Sequence, residues 1–504
     1  MVCSQFPTVT DHPWKISGGP PIQQGCGMAD PRVARIRSRV TSLWSKLRAS
    51  TMARAALITG VLAIVCKGIG FAKELVIASQ FGIGPVLDSF LVAVVVPQLV
   101  CNVFAHSFAA SLVMRYVRNR IQLGEDAARE GYATSLFWGT LLVVSLSVTG
   151  VTFGPALLPW LSPGFRPELM ASTQRLLWML LPYSILAGTG SIWSAVLNAR
   201  GRFAASAISS GVISLGLIAA VLGWHLRDAR VLVGGLTFGA FIDVVILGFC
   251  LSREGLPLIP KASRWRSEDR WIVAHTLPMM AGSTLHFCTL MVDQSMASML
   301  GEGSVSELNY GNRFVAMILG LIGMPVGKVL FPHFVKLVET RKWAEAQRSL
   351  RQSVLFLLAI SIPITIVLAG FSEPIVNWTF RRGQFTSEMV TRVSAVQVMC
   401  AMQIPFYLWS VLMARMAVAL QMRRVMVGCG VINLAMNIAM NYALMGPLGV
   451  PGIALSTAIV YLGASCYFSA VIGAILRRKL QEQEEIDQAA EAVSKVVEAP
   501  RLAA

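Results

Sequence analysis

Apolar stretches of twenty or more residues recur from about residue 56 to residue 476, and each is long enough for a helix to cross a hydrocarbon core of about 30 Å. Lipid gives backbone N–H and C=O groups no partner, so a chain of this kind must satisfy them internally, as a bundle of helices. The composition agrees with that constraint. Apolar residues make up 55% of the 504 and charged residues only 14%, with mean hydropathy +0.63, which excludes a soluble enzyme. The expected fold class is all-α, a polytopic membrane protein with about twelve spans. They run near 56–80, 86–113, 132–158, 175–198, 204–225, 231–252, 271–300, 306–332, 352–371, 389–415, 425–445 and 450–476.

Charge sets the expected orientation. Loops after the even spans carry 18 Lys and Arg and loops after the odd spans carry 5, so the positive-inside rule puts both termini in the cytoplasm. The net charge of +17 is therefore read as topology, and no nucleic-acid partner is expected. Nine scattered cysteines include no CxxC pair, so neither a disulfide framework nor a metal site is expected. Between residues 33 and 47, Val33, Ile36, Val40, Leu43, Trp44 and Leu47 recur at helical spacing with Arg and Lys on the other faces, which suits a helix lying on an anionic leaflet; a basic tail that only orients the chain explains it equally well.

The chain repeats itself. Glu74, Ala78, Ser79, Gly82, Gly84, Val86 and Asp88 recur as Asp293, Ala297, Ser298, Gly301, Gly303, Val305 and Glu307, every position displaced by 219 and every acid matched by an acid. Leu197 and Arg200 are echoed by Leu420 and Arg423. Six spans per half is an even number, so the halves enter the membrane in the same direction, as two parallel six-helix lobes with a substrate cavity between them. The expected organisation is a cytoplasmic N-terminal region at 1–55, a first lobe at 56–252, a cytoplasmic linker at 253–270, a second lobe at 271–476 and a charged cytoplasmic tail at 477–504, partly helical at best.

An ionisable side chain inside a span costs roughly 2.5–3.5 kcal/mol on insertion scales, so such residues face a cavity or a partner. Span one holds Lys67, Lys73 and Glu74, span two opens with Asp88, span six holds Asp243, span seven holds His286 and Asp293, and span eight holds Arg313 and Lys328. They gather in the equivalent spans one, two, seven and eight, where basic groups of both lobes would line one cavity for an anionic substrate. The competing explanation is neutralisation within the bundle, Lys67 by Glu74 or Arg313 by Asp293. No catalytic constellation is present: Gly323 to Lys328 has Ile322 where a phosphate loop needs glycine and Val329 where it needs Ser or Thr, and there is no HExxH pair or nucleophile elbow. The chain is expected not to be an enzyme and to need no cofactor, with the membrane potential, an ion gradient or the substrate gradient as its driving force.

Several motifs together carry a resemblance. They are Lys67-Gly-Ile-Gly-Phe-Ala-Lys73-Glu74, Ala78 to Asp88, Val96-Pro97, Phe104-Ala105, Ser162-Pro-Gly-Phe165, Leu197-Asn198 with Arg202-Phe203, Val292-Asp293 to Ser306, Asn309-Tyr310 with Arg313, Leu330-Phe-Pro332, and Arg382-Gly-Gln-Phe-Thr386. Over about residues 55–475 the sequence resembles the MurJ/MviN family of the MOP exporter superfamily, the lipid II flippases of bacterial wall synthesis. That resemblance implies two lobes that alternate access in the inner membrane, moving a polyprenyl-diphosphate-linked saccharide between leaflets. It assigns substrate binding to Lys67, Lys73, Asp88, Ser306 and Arg313. Glu74, Asp293 and Asp243 are left as ion-pairing or coupling groups, with a monovalent ion as one candidate for the coupling.

The sequence departs from the family at three points. Lysines stand at 67 and 73 where the family has arginines, Cys101-Asn102 stands where it has an arginine pair, and twelve spans are read where it usually has fourteen. Three alternatives therefore stay open beside lipid II: flipping of another lipid-linked oligosaccharide, cation-coupled drug export, and a non-transporting scaffold for wall or polysaccharide synthesis enzymes.

Overall fold

The computed structural model describes residues 51–224, 228–258 and 270–498, and all their regular structure is helical. By its contacts the chain divides after Ile58, into Met1–Ile58 and Thr59–Ala504. The amphipathic stretch at 33–47 and most of the expected linker lie outside the described residues.

Each hydropathy stretch falls on a helix. Spans one to three are Thr51–Phe81, Pro85–Gln122 and Glu125–Leu161; span four is Pro167–Met179 continued by Leu181–Ala199 after a 47° bend; spans five to seven are Phe203–Trp224, Ala229–Arg253 and Arg270–Ser298. Span eight is Ser304–Gly311 continued by Arg313–Glu339, span nine is Trp343–Gly370, span ten Ser387–Ala419, span eleven Arg423–Leu448 and span twelve Val450–Glu498. Among the described residues, eight helices are by themselves long and apolar enough to cross a membrane, nine if the bent pair is one span, against the twelve expected. Large aromatic side chains stand exposed at the ends of spans three and five, at Trp160 and Trp224, in the short helix Ser372–Phe380 that follows span nine, at Trp378, and in the last two turns of span eleven, at Tyr442, as they do at a membrane–water boundary.

The last helix corrects the expectation for the tail. It runs without a break from Val450 through Arg477-Arg478-Lys479 to Glu498. Beyond the apolar stretch its residues are mainly good helix formers, and Glu482 accepts from Arg478 at 2.9 Å and from Lys479 at 2.8 Å, the one-turn spacing that supports an exposed helix.

Small residues let the spans approach closely, as helix packing in lipid requires. A methyl group on Gly216 of span five would lie 2.5 Å from the Cα of Gly239 in span six, so these two helices touch backbone to backbone. One buried cluster belongs mainly to the first lobe, around Leu112, Leu136, Ile192 and Leu247, and another to the second, around Phe334, Leu357, Leu408 and Met416. A third draws on both lobes, joining Ile83, Phe90, Leu177 and Leu236 to Ala297, Tyr310, Phe380 and Phe385. The lobes thus seal against each other at the end bearing the loops after the odd spans.

Candidate functional site

Glycine conformation builds the seal. At the end of span one Gly82 turns the chain with φ +59°, its repeat partner Gly301 at the end of span seven does so with φ +112°, and Gly303 two residues on has φ +90°, a region that side chains with a Cβ rarely occupy. Asp88 projects from the start of span two across to the other lobe, where one carboxylate oxygen accepts from the Gly303 N–H at 2.6 Å and the other from the Ser306 N–H at 2.7 Å. It thereby caps helix Ser304–Gly311 in trans, satisfying donors that would otherwise be orphaned.

Two further clasps cross the seal, and they are images of each other in the repeat. Gly164, after span three, lies so close to the end of span seven that a methyl group on it would sit 2.0 Å from the Ser298 carbonyl oxygen. Gly383, after span nine and 219 residues later, stands in the same relation to Ser79 at the end of span one, at 2.1 Å. The Gln384 N–H completes that clasp by donating to the Ser79 carbonyl at 2.9 Å. Each lobe grips the equivalent helix end of the other.

Behind the seal lies a packed aromatic layer. Tyr310 and Phe314 contact Phe380 at ring-centroid distances of 5.4 and 5.8 Å, Phe71 reaches Phe314 at 5.2 Å, and Phe385 stacks on Phe380 at 5.7 Å. Beside this layer is an ion cluster. Glu74 is buried and accepts from Lys73 at 2.8 Å and from Arg313 of the other lobe at 3.1 Å. The pairing differs from both expected ones: Arg313 neutralises Glu74, and Asp293 accepts instead from Asn437 and Asn441, each at 2.8 Å, and from Thr457 at 3.4 Å. The repeat supplies a reason, since the position equivalent to Arg313 in the first lobe is Val94, so the symmetry offers Asp293 no cation.

Two cavities meet at Arg313. The smaller, about 170 Å³, is bordered by Lys73, Glu74, Tyr183, Ser306 and Tyr310. The larger, about 410 Å³, is walled mainly by the second lobe and includes Gln294, Asn312, Gln403, Tyr407 and Tyr461. Gln98, Asn309 and Arg313 belong to both. Lys67 is exposed, with its Nζ against the backbone of span eight, 3.2 Å from where a methyl group on Gly320 would lie. The Arg313 Nε is buried without a hydrogen-bond partner.

The family is decided by comparison with known proteins. The family model described as lipid II flippase MurJ matches residues 77–497. The chain belongs to the MurJ family. A "Probable lipid II flippase MurJ" of Rickettsia prowazekii is 25% identical over 417 residues, 81% of each chain, and one of Rhizobium meliloti is 26% identical over 419 residues, 80% of this chain and 77% of that one. Among solved structures, a lipid II flippase MurJ in an inward closed conformation superposes with TM-score 0.70 at 18% identity, covering 83% of this chain and 87% of that one. An inward-facing MATE multidrug transporter of the MOP superfamily gives 0.71 at 11% identity, covering 84% and 99%. At these identities the structural likenesses establish the fold, two lobes of the MOP type.

Within this MurJ-family fold the expected residues take distinct places. Lys73 and Arg313 line the cavities with Ser306, and Lys67 stands beside them. Asp88 is wholly buried and spends both oxygens on the seal. Asp243 lies elsewhere, inside the first lobe, accepting from Ser209 at 2.8 Å. The side chain of Lys328 is outside the described residues. Sequence reasoning passed over Arg392, which binds Glu307 at 2.5 and 2.9 Å, and the amide side chains of the larger cavity. Asn437 and Asn441, one turn apart in an apolar span, were a visible signal of the cluster around Asp293.

Proposed function

We propose that this protein flips lipid II, a polyprenyl-diphosphate-linked saccharide, from the cytoplasmic to the periplasmic leaflet of a bacterial inner membrane by alternating access of its two lobes. The observation that carries the reading is Arg313, a cation at the junction of two cavities, joined with Lys73 on one buried carboxylate across the lobe boundary. A diphosphate arriving there offers both cations charge-assisted hydrogen bonds and competes with Glu74 for them. Until it arrives Glu74 offsets the desolvation of two half-buried cations.

The excess of basic residues in the loops after even spans supports placing the sealed end toward the periplasm and both termini in the cytoplasm. Transport then requires release of Asp88 from Gly303 and Ser306, and of both glycine clasps. We assign the driving force to the membrane potential or a monovalent cation gradient, with Asp293, whose bonded side chains are neutral, as the carboxylate on which a cation acts. Collapsing the potential or the gradient with ionophores in intact cells should slow transport.

The direct test is depletion of the protein with labelled lipid-linked precursors. Precursor should accumulate on the cytoplasmic side and disappear from the periplasmic face, and unchanged periplasmic exposure removes the flippase reading.

A further inference from the structure

We propose that the cavity of about 410 Å³ in the second lobe is a separate subsite that reads the uncharged sugar of the substrate through amide side chains, while Arg313 and the neighbouring lysines hold the diphosphate. The proposal rests on the flippase reading and divides its site in two.

The wall of this cavity is chemically unlike its edge. Five amide residues line it, Gln98, Gln294, Asn309, Asn312 and Gln403, and Arg313 at the rim is the one Arg or Lys among its described lining residues. Asp293 also borders it, but its oxygens are engaged by Asn437, Asn441 and Thr457. The polar groups left open to the cavity are mostly neutral. A second diphosphate finds no further Arg or Lys there, only His286 and amide donors, and a carboxylate would be desolvated without a fixed counter-charge.

Amides suit another ligand. Each carries two N–H donors and a carbonyl acceptor, matching the mixed donors and acceptors of hydroxyl and acetamido groups. Gln294 holds its Oε1 buried with no hydrogen-bond partner, an acceptor awaiting a donor. Buried polar atoms are almost always satisfied, so an orphan in a cavity wall points to a ligand that completes it. Gln403 is buried and donates to the Asn312 Oδ1 at 3.2 Å, which fixes the Asn312 amide and leaves its NH2 group for the cavity. Tyr407 and Tyr461, packed edge to face at 5.1 Å, add an apolar floor with polar rims.

The junction sets the order of the groups. Because Arg313, Gln98 and Asn309 border both cavities, a diphosphate held by Arg313 places the sugar attached to it at the mouth of the amide-lined cavity.

The test uses the full-length protein in lipid nanodiscs and two fluorescent probes of equal charge, a polyprenyl diphosphate esterified to N-acetylglucosamine and the same lipid esterified to methanol. Wild-type protein should bind the glycosylated probe more tightly. Gln294→Leu and Asn312→Leu should each reduce that preference about tenfold, the loss expected for one good hydrogen bond. Arg313→Ala should weaken both probes together and leave their ratio as it was. The readout is a ratio on the same folded molecules, so a lower yield of folded variant does not imitate it. Equal binding of the two probes by wild type, or a ratio unmoved in both Leu variants, overturns the sugar subsite and leaves the flippase reading standing. Wild-type protein that binds neither probe overturns both.

Discussion

At the scale of single residues, the cluster of Lys73, Glu74 and Arg313 decides whether the cavity binds anions. Replacing Arg313 by Ala removes charge-assisted bonds worth about 1.5–3 kcal/mol, so lipid-linked diphosphate should bind roughly ten- to a hundredfold more weakly. Transport in a complementation assay should fall while the protein still accumulates, because Glu74 keeps Lys73 as a partner. Lys67→Arg should be tolerated: the side chain is exposed, and a guanidinium keeps the charge and adds a fork suited to phosphate. An abundant and fully active Arg313→Ala protein would remove the anion site. Asp88→Ala is a different kind of lesion. It strips two backbone donors of their acceptor at a buried position, at about 1–3 kcal/mol each, and should open the seal rather than weaken the ligand. Affinity for the probe lipid separates the two variants.

At the scale of helices and their ends, the paired clasps are the elements that must part when the cavity opens toward the sealed side. Gly383 has φ +60° and no room for a methyl group beside the Ser79 carbonyl, so Gly383→Ala should destabilise the sealed conformation and lower transport. Gly84→Ala, in the loop after span one, is the matched control on the other side of the seal. Its Cβ meets nothing within 4 Å and its backbone is extended at φ 168°, so activity should stay near wild type. Accessibility of a thiol introduced behind the seal reads the result, rising in Gly383→Ala and not in Gly84→Ala. Equal accessibility in the two would mean that these glycines do not hold the lobes together. The motifs Ser162-Pro-Gly-Phe165 and Arg382-Gly-Gln-Phe-Thr386 were visible in the sequence, but nothing in either segment says that its glycine rests on a carbonyl of the other lobe.

At the scale of the whole molecule, the first lobe is tied together at its other end by a network spanning three loops. Arg200 donates to Tyr116 at 2.7 Å, to the carboxylate of Glu254 at 3.1 Å and to Glu125, and Arg202 donates to Glu254 at 2.6 Å. Burial works to raise the Glu254 carboxyl, but the bonds from Arg202 and Arg200 outweigh it and hold the group below the usual glutamate range. The stabilisation this lends is therefore complete above the ordinary glutamate value and disappears as pH falls through the lowered folded one. Glu254→Gln should lower stability at neutral pH by about 1.5–3 kcal/mol for the charge-assisted bonds, read as a lower thermal midpoint, with the gap to wild type closing in acid. A gap that widens in acid would contradict the network. Sidedness is tested on intact cells with a membrane-impermeant thiol reagent. Arg381→Cys should be labelled directly and Lys342→Cys only after permeabilisation, both positions being exposed.

Hydropathy and the 219-residue repeat were enough to specify an all-helical, two-lobed membrane protein, because lipid forces backbone groups to pair within each segment and a repeated motif must occupy equivalent places in both halves. The same reasoning put Lys73, Glu74 and Arg313 near one cavity, since charge in a span has few places to go. It did not reveal which charges meet. The sequence suggested Arg313 with Asp293, and the structure joins Arg313 to Glu74 because the lobes pack across their pseudo-symmetry axis and side chains 239 residues apart become neighbours. Asp88 looked like a ligand-binding acid and is a cap on a helix of the other lobe, a role that depends on where the Gly303 and Ser306 amides come to rest. Local pattern determines which residues must be buried, and only the packing of one lobe on the other determines against what.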